Sequence, residues 1–212
     1  MTPSNPVDGF RRLLRSLNCD GPYGAALGFA CLALLATEPG GDAARHALRY
    51  QRDALATGQW WRLVTAHFVH LSLHHALLNT LALVLLWMLF ARDYSPRAWL
   101  LIVAGAMAAI DFGLWVGDST VLWYVGSSGA LHGVLAAGTL AHLRRHEPDA
   151  WILALLLVGK IAYEQSIGPL PLMPRGTVVV DAHLYGALGA LLAARALTAP
   201  TALIRRAGSK PV

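Results

Sequence analysis

The chain has 212 residues, of which 56% are hydrophobic and 14% are charged, and its mean hydropathy is +0.48. This composition is far more apolar than that of an ordinary soluble domain, and it predicts a single integral membrane domain. The net charge of +5 comes from short Lys and Arg clusters between apolar runs, so we expect topology signals and no nucleic-acid partner.

The first apolar segment follows a basic tail over residues 1–20, which we expect to stay in the cytoplasm. This segment covers residues 23–37 and is short against the roughly twenty residues of an untilted transmembrane helix. Residues 38–73 are mixed in composition and too long for a simple connection, which predicts a functional or interfacial outer loop. Trp60 and Trp61 in this loop suit the headgroup level of a membrane.

Five more apolar spans follow the outer loop. They are predicted over residues 74–90, 98–115, 128–141, 151–163 and 178–199, and a basic tail over 201–212 closes the chain. The span over 128–141 is too short to cross a membrane alone, so we expect it to start within the protein and beside water. The pattern predicts an all-α, polytopic membrane protein with six transmembrane helices in residues 21–200.

An even number of spans places both termini on the same side of the membrane. Most of the 17 Lys and Arg residues fall on that side, which the positive-inside rule assigns to the cytoplasm. The exceptions are Arg45, Arg49, Arg52, Arg62, Lys160 and Arg175. The same topology turns the starts of the fourth and sixth spans toward the outer face, so Ser128 and His183 are expected at similar depth.

A serine and a histidine are the first candidates for chemistry. Ser128 lies in the turn Gly126-Ser127-Ser128-Gly129, and His183 lies inside the last apolar span. Serine becomes an effective nucleophile when a base within hydrogen-bonding distance removes its proton, and histidine can do so near neutral pH. Ser128 alone is better explained as a small packing residue. An ionisable residue inside a span, however, indicates function by default, and the two residues together favour a nucleophile and its base.

Small residues recur at four-residue spacing on the fourth and sixth spans. They are Gly129 and Gly133 on one span and Ala182, Gly186 and Ala190 on the other. Such stripes let two helix backbones approach closely. They are therefore consistent with two facing helices that hold Ser128 and His183 together, and also with packing alone.

The second span offers hydrogen-bond donors for an oxyanion. His75 and Asn79 are four residues apart and share one face of the predicted helix. Acyl transfer needs donors aimed at the oxygen that becomes negative, and an imidazole and an amide can supply them. A buried His and Asn could equally bond a neighbouring helix.

Four histidines near the start of the second span raise the possibility of a metal site. Of these, His70 and His74 have the spacing of two ligands on one helix, but no Glu lies between them as in the His-Glu-x-x-His zinc motif. A catalytic zinc usually has three protein ligands. The sequence therefore predicts no metal and no cofactor, and Cys19 and Cys31 suggest neither a disulfide framework nor a metal site.

Together these motifs resemble the rhomboid family of intramembrane serine proteases, and the resemblance runs from about Trp61 to Gly189 in the family's order. The matching motifs are Trp61-Arg62, His75-x-x-x-Asn79, Gly126-x-Ser128-Gly129 and Ala182-His183-x-x-Gly186. His70 also falls where rhomboids often carry a histidine. The resemblance implies a six-helix rhomboid-like bundle.

The resemblance also implies roles for the candidate residues. Ser128 would be the nucleophile and His183 the general base, in a dyad without an aspartate. His75, Asn79 and the backbone amide of Ser128 would form the oxyanion hole. Asp181 lies two residues from His183, on another helical face, and is given no role. Asp111 has no evident partner in the sequence.

One position departs from the common rhomboid pattern. Many rhomboids carry a tyrosine four residues after the nucleophile, and this chain has His132 there. Together with Asp181-Ala182-His183 and the compact length, this resembles the rhombosortase branch. That branch implies a Gram-negative inner membrane, an active site toward the periplasm, and exported substrates with a C-terminal Gly-Gly motif, a hydrophobic helix and a basic tail. His132 could orient His183, contact substrate, or be a buried hydrogen-bonded histidine.

The predicted function is cleavage of membrane-anchored proteins within or near a transmembrane segment, with water or another nucleophile as the acceptor. The expected partners are such substrates and the lipid bilayer, and the oligomeric state is left open. One alternative is a catalytically inactive rhomboid-like protein that binds transmembrane helices. A second is a small transporter, although no inverted repeat is visible in the sequence. Ser128→Ala distinguishes these functions, because it should abolish only proteolysis.

Overall fold

The computed structural model describes residues 6–169 and 178–198. In this part of the chain the helices are α1 (Pro6–Ser16), α2 (Gly21–Leu35), α3 (Gly41–Leu48), α4 (Arg52–Ala56), α5 (Arg62–Thr65), α6 (Leu73–Phe90), α7 (Pro96–Phe112), α8 (Ser128–Arg145), α9 (Ala150–Ile167) and α10 (Asp181–Thr198). Two short strands, β1 (Tyr50–Gln51) and β2 (Trp123–Tyr124), pair antiparallel. The all-α class expected from the sequence is therefore found, with only this small sheet added.

The bundle is built around α10, which packs most extensively against α8 and α7. Small residues make this packing close. A Cβ atom on Gly186 would lie 2.1 Å from the carbonyl oxygen of Gly129, and one on Gly133 would lie 2.8 Å from the carbonyl oxygen of Gly186. The stripes predicted on the fourth and sixth spans thus meet each other, because a larger side chain at these positions would push the two backbones apart.

The outer loop predicted over residues 38–73 contains ordered short helices and β1. Arg62 is buried within it and donates hydrogen bonds to the carbonyl oxygens of His46 (2.9 Å) and Arg49 (2.8 Å) and to Gln59 Oε1 (2.8 Å). β1 pairs with β2, which lies in the segment just before α8. The loop is therefore attached directly to the segment that leads into Ser128.

Four stretches of the described residues are long and apolar enough to cross a membrane: Gly21–Leu48, Leu73–Phe90, Pro96–Gly117 and Ala150–Ile167. Their outward faces carry large apolar side chains, such as Leu77, Leu81, Leu85 and Leu89 along α6. α8 and α10 have 18 residues each but are richer in small and polar residues. They lie between other helices, so apolar side chains facing lipid are less necessary on them.

Several helix boundaries differ from those predicted, and α10, for example, begins at Asp181 and not at residue 178. Residues 6–16 of the polar tail form a helix, α1. α8 continues past residue 141 to Arg145, because His142 is buried against Phe90 and interacts with Asp149 instead of ending the helix. α9 continues past Tyr163 to Ile167. The predicted tail over 201–212 lies outside the described residues.

Candidate active site

Ser128 and His183 lie next to each other at one end of the α8–α10 pair. Ser128 is the first residue of α8, and His183 is the third residue of α10. The hydroxyl oxygen of Ser128 is 2.9 Å from His183 Nε2. His183 is 5% exposed. The arrangement has the geometry of a serine whose proton can pass to a histidine.

The turn before α8 depends on Gly126. Its φ of +121° is a conformation that side chains with a Cβ rarely adopt, and such a Cβ would lie 3.0 Å from His75 Cε1. The Gly126 N–H donates to the carbonyl oxygen of Ala66 (2.9 Å), and its own carbonyl accepts from the Tyr124 hydroxyl (2.6 Å). Burial raises the pKa of Tyr124, so its hydroxyl keeps the proton that it donates. These contacts fix the turn that carries Ser128.

The other ring nitrogen of His183 contacts a carboxylate that the sequence interpretation missed. His183 Nδ1 is 2.8 Å from Glu164 Oε2, and the second oxygen of Glu164 is 2.5 Å from Lys160 Nζ on the same helix. The fifth span is predicted over residues 151–163, and Glu164 follows its end by one residue. A Lys and a Glu four residues apart in an apolar stretch were the available signal, because such a pair lies on one helical face.

His132, one turn after Ser128 on α8, contacts the ring of His183. Its ring stacks on that of His183, with centroids 4.1 Å apart and planes 15° from parallel. Its Nδ1 donates to the carbonyl oxygen of Ser128 (2.7 Å). His132 is therefore both hydrogen-bonded and in contact with His183, and its role stays a prediction.

His75 and Asn79 lie one turn apart on α6 and are both buried. The Leu71 N–H donates to His75 Nδ1 over 3.4 Å, which leaves Nε2 as the protonated nitrogen of the neutral ring. Asn79 Nδ2 is buried and has no hydrogen-bond partner among the described residues. An unpaired buried donor is costly, so a group that accepts from it there would be stabilised.

A cavity of about 270 Å³ opens beside the serine. It is lined by residues of α6, of the segment before α8, and of the segment before α10. They are His75, Thr120, Val121, Leu122, Trp123, Tyr124, Val125, Ser128, Val178 and Val179. One candidate donor and the candidate nucleophile thus face the same space.

His70 contacts Ser127, the residue before the candidate nucleophile. Its Nε2 is 3.2 Å from the hydroxyl of Ser127, and its ring makes an edge contact with His75. Burial, with a smaller contribution from His75, lowers the pKa of His70 to about 4, so the ring is neutral at physiological pH. His74 is exposed whereas His70 is fully buried. The two residues of the metal alternative therefore differ in exposure.

Among the described residues, His132, Glu164 and His183 form a group of metal-ligand type. Imidazole lone pairs lie in the plane of the ring, and the rings of His132 and His183 are stacked nearly parallel. Their nitrogens can bind one ion only if a ring rotates out of the stack. The contacts present link these side chains by hydrogen bonds and ring stacking.

Asp111 has a neighbour that the sequence did not suggest. Its Oδ1 is 3.4 Å from Nε2 of His67, and His67 in turn makes an edge contact with Tyr124. Trp60 and Trp61 are 63% and 52% exposed, and their place at the headgroup level stays a prediction. Among the contacts described, neither the Asp111–His67 pair nor the two tryptophans touch Ser128 or His183.

Proteins of similar sequence place the chain in a family. The Rhomboid domain model matches residues 57–200, more than half of the chain. "Putative rhomboid protease YdcA" of Bacillus subtilis (strain 168) is 26% identical over 138 residues, covering 65% of this chain and 67% of that protein. "Rhomboid protease GluP" of the same strain is 26% identical over 157 residues, covering 72% of this chain but 29% of that longer protein. The chain therefore belongs to the rhomboid family.

Proposed function

We propose that this chain is an intramembrane serine protease with Ser128 as nucleophile and His183 as general base. The observation that carries the proposal is the 2.9 Å contact between the Ser128 hydroxyl and His183 Nε2 beside an open cavity. Both relatives are named as rhomboid proteases, which supports the same activity for this member of the family.

The reaction begins when Ser128 attacks the carbonyl carbon of the scissile peptide bond. His183 takes the hydroxyl proton and then gives it to the leaving amine, so that an acyl-enzyme forms. Water, or another nucleophile such as an amine, then attacks the ester. His183 takes the proton of this nucleophile and returns it to Ser128, which restores the starting state.

The oxyanion of each tetrahedral intermediate needs donors that are in place before the reaction. In this proposal His75 Nε2 and Asn79 Nδ2 are two of them. The backbone N–H of Ser128 is a third, because the first N–H groups of a helix have no partner within it. The unpaired amide of Asn79 gains its missing acceptor only when the oxyanion forms.

The substrate is a protein held in the membrane by a transmembrane segment. Carbonyl groups in a helix are hydrogen-bonded internally, so the segment must unwind before Ser128 can reach one. Glycines near the scissile bond would lower the cost of that step, because they weaken a helix.

For the topology we propose six transmembrane helices within residues 21–200 and both basic tails, 1–20 and 201–212, in the cytoplasm. The distribution of Lys and Arg supports this orientation. α8 and α10 supply the two helices beyond the four apolar stretches. In a Gram-negative cell the active site would then open toward the periplasm from the inner membrane.

Within the family we propose the rhombosortase type of substrate, an exported protein with a C-terminal Gly-Gly motif, a hydrophobic helix and a basic tail. The support is His132 in the position of the usual tyrosine, where it stacks on His183. Cleavage of a reporter that ends in such a tail, and not of the same reporter with both glycines changed to valine, would test this choice. Equal cleavage of both reporters would contradict the rhombosortase type of substrate and leave the general protease proposal standing.

The protease proposal is tested by reaction of the detergent-solubilised protein with a fluorophosphonate serine probe. We expect the wild type to be labelled and Ser128→Ala and His183→Ala to lose labelling while remaining folded. Labelling is expected to be the same with and without EDTA, because no metal takes part in the proposed reaction.

The outcome for the wild type separates the protease from its main rival. A folded wild type that several probes of different size fail to label would contradict the proposal. It would favour the catalytically inactive protein that binds transmembrane helices, in which Ser128 serves only the close packing of α8 against α10.

A further inference from the structure

The proposed reaction uses no carboxylate, yet Glu164 lies buried beside its base. Glu164 is 4% exposed and belongs to α9, whose sequence is mostly apolar. A buried charge costs free energy unless it is paired and hydrogen-bonded. An ionisable residue retained inside a membrane helix therefore indicates a role beyond packing.

Both carboxylate oxygens of Glu164 are used. Oε2 is 2.8 Å from His183 Nδ1, and Oε1 is 2.5 Å from Lys160 Nζ, one turn earlier on α9. Lys160 favours the ionised carboxylate and fixes its orientation, because the ion pair and the imidazole contact engage different oxygens. The side chain of Lys160 is 30% exposed, whereas that of Glu164 is 3% exposed.

The contact with Glu164 decides which nitrogen of His183 carries the proton. An ionised carboxylate can only accept, so His183 Nδ1 must donate to it. In the neutral ring Nε2 then has the free lone pair, and this is the nitrogen 2.9 Å from the Ser128 hydroxyl. A general base for Ser128 requires that tautomer.

We propose that Glu164 is a positioning residue that completes a Ser128–His183–Glu164 triad and that Lys160 holds it in place. This inference rests on the proposed protease function and replaces the dyad expected from the family resemblance. When the Ser128 proton moves to Nε2, His183 becomes an imidazolium that donates to Glu164 through Nδ1. Glu164 remains ionised throughout and stabilises this positive charge, so it exchanges no proton with the substrate.

The main test compares Glu164→Gln with the wild type in the full-length, detergent-solubilised protein. We expect the rate of labelling by the fluorophosphonate probe to fall by up to about 10⁴-fold, the loss seen when the orienting carboxylate of a serine triad is neutralised. The cleavage reaction should lose kcat with little change in KM, since Glu164 does not touch substrate. Because Glu164→Gln also breaks the ion pair with Lys160, its unfolding midpoint should fall, and labelling is compared at a temperature at which both proteins are folded.

Two further variants separate positioning from a general effect of charge. Glu164→Asp keeps a carboxylate on a shorter side chain and should restore part of the lost rate. Asp181→Asn removes a negative charge two residues from His183 and should keep the wild-type rate. A Glu164→Gln protein that is labelled as fast as wild type would overturn the triad while leaving the protease proposal intact.

The tautomer of His183 gives a readout that does not depend on how the variants fold. ¹⁵N NMR of the ring in folded wild type should find Nδ1 protonated and Nε2 unprotonated near neutral pH, and His183→Gln assigns the signals. A ring protonated on Nε2 would overturn the triad. If the protease proposal itself is wrong, the folded wild type is not labelled. That outcome differs from a failure of the triad alone, in which the wild type is labelled.

Discussion

His183 is surrounded at the level of single residues by groups that leave it little freedom. Its Nε2 contacts Ser128, its Nδ1 contacts Glu164, and the ring of His132 stacks on one face of its ring. A flat ring held at three places keeps one orientation, which lowers the entropy lost when the substrate arrives. His132 stacks on His183 and also donates a hydrogen bond to the Ser128 carbonyl.

The candidate oxyanion donors give a first prediction at this scale. Asn79→Ala removes a buried amide whose Nδ2 has no partner among the described residues, so the folded state loses no hydrogen bond donated by that atom. We expect kcat to fall about 10² to 10³-fold with little change in KM, because the donor acts only on the oxyanion. Thr80→Ala is the matched control, since its hydroxyl bonds the Ala76 carbonyl within α6. Equal activity of Asn79→Ala and wild type would show that Asn79 is not a donor to the oxyanion.

His70 gives a prediction about pH. Its pKa is lowered from 6.5 to about 4 by burial and by His75, so between these values the unfolded chain binds the proton more readily. The contribution to stability is complete above pH 6.5 and is lost as pH falls toward 4. The slope approaches about 1.4 kcal/mol per pH unit in that window.

The measurement is the free energy of unfolding in denaturant across this pH range. His70→Gln keeps a polar partner for Ser127 and should give a shallower slope than wild type. His46→Gln changes an exposed histidine of the same outer region and should keep the wild-type slope. Identical slopes for wild type and His70→Gln would show that His70 does not titrate on unfolding.

At the level of elements, the contact between α8 and α10 sets the distance between nucleophile and base. The two small-residue stripes bring the backbones together at Gly129, Gly133 and Gly186. Ser128 and His183 lie within one turn of this crossing, so any change in helix separation is transmitted to them directly. The outer loop adds to this by pairing β1 with β2 just before α8.

Gly186→Ala tests the helix crossing. Its Cβ would lie 2.1 Å from the Gly129 carbonyl oxygen, so one backbone has to move. We expect a loss of about 1 to 3 kcal/mol in the free energy of unfolding, as for other overpacked sites, and a large loss of probe labelling. Gly159→Ala on α9 is the control, because its Cβ would meet nothing within 4 Å. Unchanged labelling of Gly186→Ala would mean that the crossing tolerates a wider separation.

For the whole molecule, the membrane orientation is the property that decides which compartment the site faces. The proposed topology predicts that alkaline phosphatase fused after residue 118 is active in a bacterial cell and that the same enzyme fused after residue 147 is inactive. Alkaline phosphatase needs disulfides that form outside the cytoplasm. The opposite pattern of activity would reverse the proposed orientation, and equal activity of both fusions would contradict the transmembrane role of α8.

Much of this organisation follows from the sequence. Long apolar stretches separated by basic clusters are enough to indicate a helical membrane bundle. In lipid the backbone N–H and C=O groups must hydrogen-bond to each other, as they do within a helix. The stripes of small residues and a histidine within a span likewise follow from local pattern. They led to Ser128 and His183 as a pair, and the two side chains lie 2.9 Å apart.

Contacts between distant segments were decided only by the tertiary structure. Glu164 follows the predicted end of the fifth span by one residue, and hydropathy gives no reason to extend the helix through an acidic side chain. Its charge is accommodated only because the packing of α9 and α10 brings His183 Nδ1 to one oxygen while Lys160 holds the other. The sequence pattern of one helix indicates which of its apolar residues are buried. A buried charge also needs a partner, and which residue of another helix supplies it depends on how the helices pack.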